Sequence, residues 1–310
     1  MAAPDDPLRG VAVFERGWLS SNNVLIHAAE GEAGAVLVDT SHVNHAGQTL
    51  ALVRHALGGR PLALIANTHL HSDHCGGNAT LQRELGVPLA LPPGQADAVT
   101  RWDDDALSYR HTGQRIERFG HQQLLQPGEA LRAGGRDWEV IAAPGHDPHA
   151  VMLFDRAQGV LLSADALWAN GFGLVFPELD GESGFDDVAA TLDRIGALPL
   201  RLVVPGHGAP FDDSAAALGR AWSRLESWRA APDRHQRHGV KVMLKYHLME
   251  EGREPLHQLL DWAEAMPLLR RSWQRLGEPG ELRAWARGLL DELLAGGALG
   301  MEAGEVVVDR

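Results

Sequence analysis

The sequence predicts an α+β fold: two sheets packed as a sandwich with helices outside, followed by a mostly helical module. Three observations carry this. Up to about residue 212 the chain reads as strands, helix, strand, helix, and that pattern repeats once. From about Asp213 its character changes to helices. It then closes on two short strands joined by a turn at Ala303-Gly304.

Val11 to Phe14, Asn23 to His27 and Ala35 to Asp39 are short apolar runs between Gly- and Ser-containing turns, which predicts strands. Helical spacing of Leu50, Val53 and Leu57, stopped by Gly58-Gly59, predicts a helix over His45 to Leu57. Pro61 opens a buried-type strand, Leu62 to Ala66, and the glycine pair Gly76-Gly77 leads into a short helix ending at Leu85. Further strands are expected at Trp138 to Ala142, Val151 to Phe154, Val160 to Ser163 and Leu202 to Val204. A helix over Phe185 to Ile195 has Val188, Leu192 and Ile195 on one face. The later helices read as Ser214 to Arg229, with Ser214 as N-cap, then Val240 to Glu251, Pro255 to Ala265 and Glu281 to Leu294. Helices followed by the terminal hairpin suggest a winged-helix-like module. The polar, His/Arg-rich stretch Pro232 to Gly239 marks its boundary, dividing the chain into 1–231 and 232–310.

Composition narrows the function. The chain has 310 residues, 45% hydrophobic and 22% charged, as expected of a soluble globular protein. A formal net charge of -13 means that a polyanion would bind against an unfavourable field, which speaks against nucleic acid as partner without excluding it. Cys75 is the one cysteine, so no intrachain disulfide can form. The opening residues Met1 to Asp6 lack the basic start and apolar run of a signal peptide, and no apolar segment is long enough to span a bilayer. The expectation is a cytoplasmic protein without a membrane partner.

The chemistry is concentrated in Thr68-His69-Leu70-His71-Ser72-Asp73-His74-Cys75-Gly76-Gly77. Three imidazoles and a carboxylate at the mouth of a strand are costly to bury as ordinary core. Imidazole and carboxylate are preferred ligands for Zn²⁺ and similar metals. His69 and His71, two apart on extended chain, point the same way and can chelate one ion, leaving Asp73 and His74 for a second. Three more ligand-type residues follow strand ends: His146 in Pro144-Gly145-His146, Asp165 after Val160 to Ser163, and His207 in Pro205-Gly206-His207-Gly208.

Over residues 10 to 212 these motifs, in this order, resemble the metallo-β-lactamase-fold hydrolase superfamily, which includes glyoxalase II, lactonases, ribonuclease Z and thioesterases. The resemblance implies a four-layer αββα sandwich with two divalent metal ions at one edge, zinc foremost, with iron or manganese as alternatives. It would give the first metal to His69, His71 and His146, and the second to Asp73, His74 and His207, with Asp165 bridging. Asp39 matches the family's buried aspartate behind the site, supporting the ligands. Asp165, where common antibiotic-hydrolysing enzymes carry cysteine, and His71, where flavodiiron reductases carry glutamate, point to the dinuclear hydrolase branch. The implied mechanism is hydrolysis by metal-activated water, with Asp73 orienting the nucleophile.

The substrate is less legible. Trp168, Phe172 and Phe176 follow Asp165 and either line an apolar acyl pocket or cover the edge of the sandwich. An apolar pocket in an acidic protein fits a small acyl thioester or related ester, in glyoxalase II-like chemistry. A nuclease acting on RNA, a lactonase, a mononuclear iron dioxygenase and a low-turnover regulatory protein are the alternatives. Arg283 and Arg287 could face nucleic acid, but Glu281, Asp291 and Glu292 lie among them, giving a mixed-charge face. Lys241 to His247 either reaches the active-site mouth or packs as a helix. Cys75 reads as a packing residue or a redox-sensitive thiol, and His149 as a ligand support or an ordinary histidine.

Overall fold

The computed structural model describes residues 6–310. Its first sheet takes six strands in chain order: β1 (Val11–Phe14), β2 (Asn23–Ile26), β3 (Ala35–Val38), β4 (Leu62–Ala66), β5 (Leu89–Leu91) and β6 (Gln123–Leu124). β1 to β3 pair antiparallel, and β3 to β6 pair parallel. The second sheet holds β7 (Ala130–Ala133), β8 (Arg136–Ala142), β9 (Val151–Asp155), β10 (Val160–Ala164) and β11 (Leu202–Pro205), again in chain order. Here only the β10–β11 pair is parallel.

Parallel neighbours need a crossover, and helices supply it. α1 (Ala46–Leu57) joins β3 to β4; α2 (Ser72–Cys75) and α3 (Asn78–Leu85) join β4 to β5. α4 (Ala96–Arg101) and α5 (Tyr109–Thr112) lead to β6, and α6 (Phe176–Asp180) and α7 (Phe185–Gly196) to β11. α1 ends where the sequence indicates: Gly58 takes a left-handed conformation, φ 57°, and its N–H closes the last turn.

Strand alternation sorts the core into layers. Val24, Ile26, Val36, Val38 and Leu64 meet Trp138, Val140, Leu153 and Leu162 between the sheets. The opposite face of the first sheet presents Leu25, Leu37 and Ile65 to Leu50, Val53 and Leu81 of the helices. The opposite face of the second packs Met152, Phe154 and Val203 on Val188, Leu192 and Ala221. The result is helix, sheet, sheet, helix. β3 and β4 run one way, as do β8, β10 and β11, so the residues that follow these strand ends collect at one edge.

The remainder is α8 (Ser214–Ala230), α9 (Pro232–Glu251), β12 (Arg253–Pro255), α10 (Leu256–Ala265), α11 (Pro267–Arg275), α12 (Leu282–Ala295), β13 (Leu299–Glu302) and β14 (Val306–Asp309). β14 pairs with both β12 and β13, so the expected hairpin is the larger part of a three-stranded antiparallel sheet. Val240, Leu244, Leu248, Leu259, Leu269 and Leu289 build the core of this region. No helix among the described residues is long and apolar enough to cross a membrane.

Two local readings are corrected. The N-cap of α8 is Asp213, whose side chain accepts from the amide of Ala216, and Ser214 is the first helical residue. The boundary stretch Pro232 to Gly239 forms the first turns of α9, so the helix expected over Val240 to Glu251 starts earlier, with Pro232 at the position where a missing N–H costs nothing. Its polarity misleads because two of its polar residues are buried and bonded. Gln236 donates to the carbonyl of Leu179 at 3.0 Å and to Ser272 Oγ at 2.6 Å, and His235 Nε2 accepts from the amide of Val175 at 3.2 Å. The elements β5, β6, α4, α5 and α11 are nine residues or shorter, so periodicity had little length in which to appear.

Candidate metal centre

The His-rich loop leaves β4 and is held from several sides. Thr68 donates its amide and its hydroxyl to Asp39, at 2.9 and 2.8 Å, and its carbonyl accepts from the amide of Val151. Tyr109 donates to the carbonyl of Leu70 at 2.9 Å, and the amide of Ser72 donates to Gln114 Oε1 at 2.7 Å. Gly77 lets the loop close on its neighbour, since a Cβ there would stand 2.3 Å from the carbonyl oxygen of Thr40. Two strand ends are bent by non-glycine residues in the left-handed region, Asp39 at φ 57° and Ala164 at φ 45°. Such conformations cost of order 1–3 kcal/mol and cluster at functional sites. Here they aim Asp39 and Asp165 at the loop.

His69, His71 and His146 form one group, all buried, with ligand atoms within 4.8 Å of one another. His71 Nδ1 lies 3.1 Å from His69 Nε2 and 2.8 Å from His146 Nε2. The outer nitrogens fix the tautomers. His146 Nδ1 donates to the carbonyl of Leu174 at 2.6 Å. His69 Nδ1 lies 3.2 Å from Thr68 Oγ1, whose own hydrogen goes to Asp39, so His69 is the donor there. Both rings therefore turn a lone pair inward, and one Nδ1–H on His71 could satisfy only one of them. A cation satisfies all three.

Asp73, His74, Asp165 and His207 form the second group. His207 Nε2 lies 3.1 Å from Asp73 Oδ2, and His74 Nε2 lies 3.3 Å from Asp165 Oδ1. His74 donates from Nδ1 to Asp39 Oδ2 at 2.7 Å, while its buried Nε2 has no hydrogen-bond partner. Asp165 belongs to both groups: Oδ1 faces the second, and Oδ2 lies 3.3 Å from His146 Nε2 of the first. Gly206 presses against it, for a Cβ there would come within 2.2 Å of Asp165 Oδ1.

The electrostatics separate the two groups. Burial, then the neighbouring imidazoles, pushes His69 well below its usual range and His71 down to about 4. In the second group burial opposes charge but loses. Asp73 is held at about 2, mainly by His74, and Asp165 well below the carboxylate range by His74 and His207. His74 is raised despite its burial by Asp165, Asp39 and Asp73. A neutral nitrogen set beside an anionic mixed set suits two divalent ions of the zinc, iron or manganese type. Every metal ligand expected from the sequence is thus brought together, with Asp39 behind them.

A cavity of about 110 Å³ opens over both groups, lined by Trp18, Trp168, Phe176, Val242, Met243 and Tyr246 among others. Phe176 lies 4.5 Å from the His71 ring, and Trp168 Nε1 donates to Asp165 Oδ1 at 3.2 Å. Phe172 is different. It is 2% exposed, packs edge-on to Trp228 in the core and touches only the adjoining cavity. Lys241 to His247 both packs and reaches the mouth, since Tyr246 also bonds Ser72 Oγ at 2.9 Å.

Sequence reasoning missed Trp18, which stacks on His207 at 5.3 Å and is 62% exposed. Only its aromatic character could have signalled it. Asp147 was also missed as a neighbour of the site: it is buried, with Oδ2 3.9 Å from His71 Nε2. Cys75 is fully buried beside Tyr109, and burial pushes its thiol up, which makes it a packing residue. His149 stands apart, with its ring against Gly94. Arg283 is paired with Asp261 and Glu264, and Arg287 with Asp291, a mixed-charge face as expected.

A helix, sheet, sheet, helix sandwich thus carries at its edge two His/Asp groups able to hold metal, joined by one carboxylate. Residues 16–207 match the family model of the metallo-beta-lactamase superfamily, and the chain belongs to that superfamily. It is 34% identical over 142 residues to a hydroxyacylglutathione hydrolase of Synechococcus sp. (strain JA-3-3Ab), covering 46% of this chain and 47% of the relative. It is 28% identical over 171 residues to the human acyl-coenzyme A thioesterase MBLAC2, covering 49% and 58%. The chain thus spans about half the length of these curated relatives. The crystal structure of a metallo-beta-lactamase family protein from Thermus thermophilus superposes with a TM-score of 0.57 at 22% identity, over 98% of this chain and 99% of that one. The shared fold therefore includes the C-terminal region.

Proposed function

We propose that the protein is a dinuclear metal hydrolase that cleaves a small acyl thioester or related ester. The observation that carries this reading is the juxtaposition of the two ligand groups with an apolar, tryptophan-lined mouth. His69, His71 and His146 would hold one ion, Asp73, His74 and His207 the other, with Asp165 between them. When bound, such a pair lowers the pKa of a water and stabilises negative charge on an acyl oxygen.

The chain's own residues do the rest. Asp73 is anionic and 13% exposed toward the cavity, so it can accept a hydrogen bond from the attacking water and orient it. Trp18, Trp168 and Phe176 offer an apolar surface to an acyl group and exclude water from the carbonyl. Asp39 and Trp168 hold His74 and Asp165 in place. Zinc fits the nitrogen-rich donors. A small acyl substrate fits better than nucleic acid, because Arg283 and Arg287 are already neutralised. A single buried thiol is in keeping with the cytoplasm. The C-terminal helices and sheet serve, in this reading, as a winged-helix-like wall of the substrate entrance.

The test is metal analysis followed by a screen of thioesters, lactones, phosphodiesters and RNA. About two metals per chain are expected, as are thioester turnover lost on chelation and its absence in a His71→Ala variant holding about one metal. Activity that survives removal of both metals would sink the mechanism.

A further inference from the structure

The metal cavity is one end of a longer path. A second, mainly apolar cavity of about 530 Å³ shares Trp18, Trp168, Leu174, Val242 and Tyr246 with it, and adds Phe172, Trp228 and Met249. It shares Arg224, Trp228 and His238 as lining with a third cavity of about 360 Å³, completed by Ser227, Arg234, Arg237 and Lys241. No carboxylate lines that last cavity, in a chain of net charge -13.

The cations there are only partly neutralised. Arg237 pairs with Glu278 at 3.2 Å and with Glu292, and Lys241 shares Glu292 at 3.3 Å. Arg224 donates to the carbonyl of Phe172 at 3.1 Å and lies over the Trp228 ring at 5.6 Å. Arg234 is exposed on the first turn of α9. Four permanent cations therefore meet two carboxylates. The surplus is felt locally: burial, then the charges of Arg224 and Lys241, pushes the His238 imidazole down.

We propose that this basic cavity binds phosphate groups on the thiol half of the substrate, so that the leaving group is a thiol on a long apolar arm ending in phosphates. The inference rests on the thioesterase reading above. In the reaction a water oxygen adds to the thioester carbonyl, the carbon–sulfur bond breaks, and the thiolate takes up a proton. The products are a carboxylic acid and a free thiol, with no redox change. The dimensions favour a long arm over a peptide thiol. Along α9, Tyr246 at the metal cavity and Arg234 are separated by about 18 Å of helix axis. An extended tripeptide spans at most about 11 Å. The intervening walls are mainly aromatic and aliphatic, and of the charged residues there Lys245 is paired with Asp309, which suits a largely apolar, uncharged arm.

The experiment compares three butyryl thioesters on the metal-loaded full chain: coenzyme A, glutathione and N-acetylcysteamine. We expect kcat/KM for the coenzyme A thioester to exceed the N-acetylcysteamine value by at least about tenfold, mostly through KM, with the gap shrinking in high salt. Arg234→Glu should raise KM for the coenzyme A thioester about tenfold relative to the N-acetylcysteamine thioester, and Arg234→Lys should restore it. Circular dichroism would establish that both variants are folded. Equal efficiency on all three thioesters, or preference for the glutathione thioester, overturns the phosphate site and leaves the thioesterase standing. Failure to cleave any thioester overturns both.

Discussion

Asp39 Oδ2 lies 2.7 Å from Nδ1 of His74, and the same carboxylate takes the amide and hydroxyl hydrogens of Thr68. One buried side chain thus orients a ligand of the second group and anchors the loop that carries the first. Its removal should act on metal affinity before it acts on fold. Asp39→Ala is expected to weaken metal binding about 10–100-fold, as is usual when the partner of a ligating histidine is lost. Competition with a coloured chelator measures it, and wild-type affinity in a folded variant would contradict the assignment.

Trp18 is 62% exposed, yet stacks on His207 at the cavity mouth. A tryptophan held in water has little part in the core, so Trp18→Ala should move stability by no more than about 0.5 kcal/mol. With a substrate bound its face becomes buried, and the variant should raise KM about tenfold for an apolar acyl thioester. Thermal melting and steady-state kinetics on one preparation separate the two effects. A large loss of stability with KM unchanged would make Trp18 structural.

His42 Nε2 and Glu250 Oε1 lie 2.9 Å apart with both side chains buried, joining the loop after β3 to α9. Asn44 adds a bond to the Glu250 carbonyl at 2.8 Å. Breaking a buried pair strands its partner, so Glu250→Ala should cost about 3–5 kcal/mol. Urea unfolding reads this directly. Pairing it with His42→Leu should recover much of the loss, because the stranded imidazole is then gone.

His235 packs 4.4 Å from Trp228, and Nε2 accepts from the amide of Val175. Burial, then the neighbouring His238, lowers its pKa from 6.5 to about 3. The folded chain therefore binds one proton fewer at this site than the unfolded chain between those values. Its stability should fall as pH drops through that window, by about 1.4 kcal/mol per pH unit from this group. His235→Gln keeps an acceptor without the titration, so its stability should depend less steeply on pH. Parallel slopes for the two proteins would rule the contribution out.

Much of the centre was legible because metal ligation imposes strong local chemistry. His69, His71, Asp73 and His74 fall within six residues, and His146, Asp165 and His207 each follow an apolar run that ends in a turn. The runs before Asp165 and His207 are buried on nearly every side chain, so their strands could be read from composition, whereas the strand before His146 alternates buried and partly exposed residues. The long helices were equally plain, because Leu50, Val53 and Leu57 repeat at helical spacing. Polar residues with buried partners were not: Gln236 reads as surface until Leu179 and Ser272 are placed beside it.

Short-range pattern and residue chemistry were enough for the two-sheet fold and the seven ligand-type residues, and the family resemblance implied the place of Asp39 behind them. Three-dimensional packing was needed to show that Asp165 faces both groups and that Phe172 sits in the core while Trp18 and Tyr246 line the mouth. It was needed again to bring the cations of α8 and α9 together at the end of an apolar path. Those relationships join residues far apart in the chain. They depend on how α8 and α9 pack against the sandwich, which the spacing of apolar residues within any one element does not specify.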